Sequence, residues 1–328
     1  MTQELTTEVV RLWLTNNPPE GDIHYTKIMD GQVSPENMVY LRTIIGRLVK
    51  EKLLKHTTRG YYRIIRKVEP VKWWDADENE FYDLSFPMSH EDHTYFEFTD
   101  KVRVSPGDLI VIAGSSNTGK SALALNILGE NIDKHECVVM GNEYTQLDGM
   151  PSPKFKRRML NMTWVDWMNG SGEPKFTLLP VSQDFEDYIQ KGKFNIIDWI
   201  NLGGDWFMMG KVMESIKQNI GSGLAVAVLQ KKKDAQLGYG AEFTEHMADL
   251  YLTVDQFGES ESRLTVGKVK DSTGRTTGRM FAFSIVDYGA NIHNIYEIVK
   301  CKPCYGRGYT NKGTCDTCNG KKFISKEP

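Results

Sequence analysis

The chain has 328 residues, 40% hydrophobic and 25% charged, with 12 prolines and a net charge of −3. That composition is ordinary for a soluble globular protein with a full-sized core in two or three units. No apolar run approaches bilayer length, and Glu4, Glu8 and Arg11 in the first twenty residues exclude a secretory leader, so a cytoplasmic protein with no membrane partner is expected.

The N-terminal region, 1–67, opens on the amphipathic "TTEVVRLWLTNN". Next, "SPENMVYLRTIIGRLVKEKLL" predicts a helix with Ser34 as N-cap, Pro35 at the first helical position, and Leu41, Ile44, Ile45 and Leu48 at helical spacing. "LLKHTTRGYYRII" then reads as strand, turn at Gly60, strand. From Arg42 to Lys67 the chain carries nine Lys or Arg and one acid, Glu51. Helices followed by a basic hairpin resemble a winged helix-turn-helix. The resemblance implies duplex DNA contacts from Arg42, Arg47 and Lys50 on the helix and from Arg59 and Arg63 on the wing. A solvated basic surface on a protein-docking domain is the alternative.

Residues 68–94 are acidic, contain Pro70 and Pro87, lack periodicity and read as a linker. From 95 to 300, apolar strand-like runs alternate with helical patterns: "DLIVIAG", "ECVVMGNE", "FNIIDW", "LAVAVLQ" and "LYLTV". Continuous apolar strands of this kind are buried on both faces, which predicts an α/β core with a parallel sheet.

Between the first of those strands and the helix "SALALNILGEN" lies "GSSNTGKS". Gly114, Ser115, Ser116, Asn117, Thr118, Gly119, Lys120 and Ser121 match a phosphate loop. Its backbone N–H groups and the following helix N-terminus would cradle a polyphosphate. Lys120 would reach the β- and γ-phosphate oxygens of ATP, and the Ser121 hydroxyl would ligate Mg²⁺. "FNIIDW" places Asp198 at the end of a buried strand, where it would hold the magnesium's water shell. "CVVMGNE" ends in Glu143, placed to orient an attacking water.

This series is similar to the RecA-like ATPases, especially their replicative-helicase (DnaB-like) and RadA branch. The resemblance covers about 105–285. It implies an ATP hydrolase working as a hexamer or filament, with Glu143 as catalytic carboxylate and Gln230 as γ-phosphate sensor. A trans finger is implied at Lys268 and Lys270 of "GKVKDSTGR", with Arg275 or Arg279 as alternatives because Lys lacks the planar two-pronged guanidinium. It further implies single-stranded DNA on the loops "NLGGD" (201–205) and the one carrying Lys231, Lys232 and Lys233. The expected role is DNA translocation or strand separation beside replication or recombination proteins; an ATP-gated loader or DNA-binding regulator is the alternative.

The tail, 301–328, is too short to own a core. Cys301, Cys304, Cys315 and Cys318 form two C-x-x-C knuckles ten residues apart, the spacing of a tetrahedral thiolate site for structural zinc, with an iron–sulfur cluster as the minor alternative. "CxxCxGxG" locally resembles the cysteine-rich modules of DnaJ-type chaperones.

Overall fold

The computed structural model describes residues 4–19, 21–65, 69–145, 150–200, 202, 205–232 and 235–326. The chain divides into two compact units, 1–77 and 78–328.

In the first unit, α1 (Thr7–Asn16) starts where the Thr6 hydroxyl accepts from the Val9 amide at 3.3 Å. A short strand β1 (Ile23–His24) follows, then α2 (Met38–Lys50), β2 (Leu54–Thr58) and β3 (Tyr61–Ile64). The expected helix is shorter at its start: Pro35–Asn37 form a 3₁₀ turn, and Ser34 makes no side-chain cap bond. The three strands pair antiparallel in the order β1-β3-β2. Val10 and Leu14 of α1 meet Leu41, Ile44, Ile45 and Leu48 of α2 and Leu54 of β2 in one apolar core. The i, i+3, i+4, i+7 stripe read from the sequence is the buried face.

The second unit starts at Glu78, earlier than the expected boundary at 95. The stretch 68–94 is therefore not a free spacer throughout. Tyr82, Leu84 and Phe86 pack against the main core, and the Ser85 amide donates to Asn131 Oδ1 at 2.8 Å. Apolar side chains at every second position carry that docking, a signal masked by the acids around them.

The core elements follow in order: β4 (Leu109–Gly114), α3 (Lys120–Asn131), β5 (Cys137–Met140), α4 (Pro153–Asn161), β6 (Phe176–Leu179), β7 (Phe194–Ile200), α5 (Met209–Ile220), β8 (Leu224–Gln230), α6 (Ala241–Met247), β9 (Leu250–Phe257), β10 (Glu261–Val269), β11 (Met280–Val286) and β12 (Asn291–Lys300). One ten-stranded sheet runs β15-β12-β11-β10-β9-β4-β8-β7-β5-β6, where β15 is Phe323–Ser325. From β9 to β6 all neighbours are parallel, and from β9 to β15 all are antiparallel. The parallel strands carry unbroken apolar runs because helices cover both faces: α3 on one, α5 and α6 on the other. This mostly parallel α/β sheet, with a phosphate-type loop leaving its central strand, fits a RecA-like core.

The tail forms a small ribbon with one hairpin, β13 (Tyr309–Thr310) and β14 (Gly313–Thr314), and returns as β15 beside β12. Among the described residues no helix is long and apolar enough to cross a membrane.

Candidate nucleotide site and metal centre

The phosphate loop leaves β4, which is fully buried between β8 and β9. Gly114 must lack a side chain: a Cβ there would lie 2.4 Å from the Val254 carbonyl oxygen. Gly119, at φ +94°, occupies the left-handed region that turns the loop into α3. The loop is closed by its own bonds. The Ser115 carbonyl accepts from Lys120 Nζ at 2.7 Å and from Thr118 Oγ1 at 2.9 Å, and Ser262 Oγ donates to the Thr118 carbonyl at 2.9 Å.

Around it, side chains from three strand ends converge. Ser121 Oγ donates to Asp198 Oδ1 at 3.0 Å, so a hydroxyl and a carboxylate oxygen stand as a pair of hard ligands. Gln230 ends β8, and its Nε2 donates to Ser116 Oγ at 3.1 Å. Glu143 lies three residues beyond the end of β5 rather than on its last position; it is exposed and accepts from Trp199 Nε1 at 3.2 Å. Asp198 sits inside β7, two residues before its end, and is only 3% exposed. Burial pushes its carboxyl above the usual range, opposed by hydrogen bonds from Tyr144 and Ser121. Burial likewise lowers the Lys120 ammonium, opposed by Asp198 and Glu143. A polyphosphate beside Lys120 and a cation beside Asp198 would favour the charged forms and so oppose both shifts. The loop, Glu143 and Gln230 line one groove of about 1550 Å³.

Sequence reasoning missed Tyr144. Its hydroxyl donates to Asp198 Oδ2 at 2.6 Å, so Asp198 has one oxygen on Ser121 and the other on Tyr144. The only sequence cue was an aromatic directly after Glu143. The turn that follows β5 sends the two side chains apart, so Glu143 is exposed in the groove while Tyr144 is buried.

Other expected residues fall elsewhere. Lys231, read as a cation for DNA, is buried: its side chain is 2% exposed and pairs with Asp255 at 2.5 Å, while its amide donates to the Gly114 carbonyl. That reading is corrected, because a buried, paired ammonium cannot neutralise a phosphate on a solvent loop. Lys232 is exposed, and Lys233 lies outside the described residues, as do Asn201, Gly203 and Gly204 of the other expected loop.

Lys268 and Lys270 are not free tips of a solvated hairpin. Lys268 donates to the carbonyls of Glu245 and His246 at 2.7 and 2.9 Å. Lys270 pairs with Asp249 at 2.7 Å, and the same carboxylate takes Lys217 and the Leu109 amide. Leu109 begins β4, so this cluster lies at the opposite sheet end from the phosphate loop. Arg279 is engaged by Glu297 and Glu97. Arg275 is exposed and, among the described residues, has no ion-pair partner. In the first unit, Arg42, Arg47, Lys50, Arg59 and Arg63 are all exposed. Arg42 lies over the Tyr25 ring at 4.4 Å, and Arg63 pairs with Asp22 at 2.7 Å.

The four tail cysteines come together. Cys301 and Cys315 Sγ are 3.8 Å apart, Cys304 and Cys318 Sγ 3.6 Å, and all four lie within 4.8 Å of one another. These separations exclude disulfides. A tetrahedron with zinc–sulfur bonds of about 2.3 Å has edges of about 3.8 Å, so the set fits structural zinc. The Gly308 amide donates to Cys304 Sγ at 3.3 Å, an outer contact that favours the thiolate.

No family model matches the chain, and no curated protein does. Among solved structures, a KaiC-like protein from the archaeon Pyrococcus horikoshii is similar, with 16% identity over 66% of this chain and 99% of that one, and a TM-score of 0.48. Similarity at that level leaves the assignment of the core to its own strand order and phosphate loop.

Proposed function

We propose that the chain is an ATP hydrolase of the RecA-like class that couples turnover to DNA. The observation that carries the hydrolase reading is the meeting of Lys120, Ser121, Glu143 and Gln230 around one phosphate loop in a single groove, with Asp198 buried beside it and bonded to Ser121. The loop amides and Lys120 bind the β- and γ-phosphates and offset their charge. Ser121 and Asp198 would hold Mg²⁺, which when bound neutralises phosphate charge and orients the terminal group. Glu143 aligns a water in line with the γ-phosphorus and accepts its proton as the bond to ADP breaks. Gln230, bonded to Ser116, ties the β8 end to the loop and so reports the phosphate state.

ATP would lie in a groove open to solvent, which fits a homo-oligomer, hexamer or filament, in which a neighbour completes the site. Arg275 is the best trans cation, because Lys268, Lys270 and Arg279 are already engaged. The first unit acts as a winged helix, with Arg47, Lys50 and Arg59 toward DNA phosphate; the β1-β3-β2 sheet with α2 before the hairpin supports that reading. The working role is a DNA translocase or helicase in replication or recombination, within the cytoplasm.

A second reading is an ATP-gated loader or regulator, favoured by the burial of Lys231, which weakens the expected channel grip. One assay separates them: ATP turnover by wild type and Lys120→Ala without nucleic acid, with single strands and with duplex, at two salt concentrations. A motor gives strong stimulation by any single strand. A switch gives slow turnover and sequence-preferring duplex binding. Rates that are flat across all three conditions remove the DNA-coupled reading.

A further inference from the structure

We infer that the cysteine ribbon is a binding site for single-stranded nucleic acid, with Tyr305 and Tyr309 as stacking platforms and lysines aimed along the nucleotide groove. The ribbon's interior is its four sulfurs with Ile324 against them, so neither tyrosine is needed for packing. Both rings stand out instead, Tyr305 78% and Tyr309 61% exposed. Tyr305 occupies the turn after Cys304 at φ +53°, and Tyr309 opens the β13–β14 hairpin opposite Thr314. Arg307 lies between them in sequence, its guanidinium 5.9 Å from the Tyr305 ring centre.

Charge accompanies the rings. Residues 300–328 hold seven Lys or Arg and two acids, a sum of +5. Four thiolates and one Zn²⁺ contribute −2 and leave about +3. Lys300, Lys321 and Lys322 line the same groove as the phosphate loop. Their direction is set by the knuckles. The Lys300 and Lys322 stems run so close to Gly306 and Gly308 that a Cβ would meet their Cγ atoms at 3.4 and 3.2 Å, and the Lys322 carbonyl accepts from the Cys301 amide at 3.0 Å. Exposed aromatic rings interleaved with cations match single strands: every base offers a π-face, and lysines follow the backbone. A duplex hides its bases from such rings, and an acidic protein would not need them.

The inference deepens the proposed coupling to nucleic acid but is tested without nucleotide, so it stands or falls separately from hydrolysis. The experiment titrates the zinc-loaded full chain into fluorescein-labelled oligo(dT), oligo(rU) and a duplex of equal length, following anisotropy across salt. In parallel, strands carrying 5-iododeoxyuridine are photo-crosslinked and the sites mapped by mass spectrometry. Tyr305→Ala with Tyr309→Ala weakens single-strand binding at least tenfold, while Tyr305→Phe with Tyr309→Phe keeps wild-type affinity. Lys321→Ala with Lys322→Ala lowers the salt slope by about 1.4, two phosphates at about 0.7 each. Crosslinks fall on Tyr305 or Tyr309, and zinc content stays at one per chain in every variant. Unchanged single-strand affinity in the alanine pair, an equal loss of duplex affinity in that pair, or crosslinks confined to other residues overturns the inference. Failure of the full chain to bind either single strand at low salt also overturns it.

Discussion

Tyr144→Phe is the sharpest probe of the nucleotide site. The substitution removes one oxygen and leaves the ring in place against Phe155, 4.5 Å away between centres, so no cavity forms. What is lost is the 2.6 Å bond that fixes Asp198 Oδ2. A hydrogen bond to a charged acceptor contributes about 1.5–3 kcal/mol, and each ~1.4 kcal/mol is tenfold in an equilibrium constant. Part of the loss is common to the metal-free and metal-bound states, so the Mg²⁺ midpoint for nucleotide binding should rise by about tenfold rather than the full amount. The pH dependence follows from the direction of the shift. Burial already raises the Asp198 carboxyl, the Tyr144 bond opposes that rise, and removing it moves the carboxyl further up. Since Mg²⁺ needs the ionised carboxylate, the defect is largest at low pH and shrinks as pH rises. Binding of a fluorescent ATP analogue, titrated with Mg²⁺ at pH 6.5, 7.5 and 8.5, reads both effects. An unchanged midpoint at every pH, or a uniform loss that Mg²⁺ does not reverse, refutes the reasoning.

Other outcomes follow from the same structure. Glu143→Gln keeps ATP affinity within about threefold and slows turnover by about 10²–10⁴, measured by single-turnover hydrolysis; retained turnover removes Glu143 as the base. Asp108→Asn stabilises the fold above pH 6. Burial, with Asp249 nearby, raises the Asp108 carboxyl to about 6, so the folded state favours its protonated form. That contribution is complete below about pH 4 and lost as pH rises through 6. Discounted for partial exposure, the gain is about 1 kcal/mol at pH 7.5 and closes below pH 4, read by urea unfolding. Cys304→Ser with Cys315→Ser abolishes zinc retention and exposes 301–326 to protease. Helical circular dichroism of the core is unchanged, because β15 is an edge strand beside β12.

The parts legible in the sequence were those where one physical requirement allows few residue types. A loop that wraps phosphate needs Gly114, where a Cβ would strike a carbonyl, and Gly119, at positive φ, so its pattern survives in the bare string. Four thiolates around one ion need the knuckle spacing, and the sulfurs do meet. Strands buried on both faces advertise themselves by unbroken apolar runs. Partnership left no such mark. Lys231 and Lys232 are identical in type and adjacent, yet one is sealed against Asp255 and the other exposed, because Asp255 arrives from β9, 24 residues later. Lys270 is likewise claimed by Asp249, and Tyr144 by Asp198 across 54 residues. A charge or hydroxyl is assigned by what the fold brings opposite it. Arg275, on the loop between β10 and β11, is exposed and left unpaired by its own chain among the described residues, which is why the proposed trans contact falls on it rather than on the motif lysines.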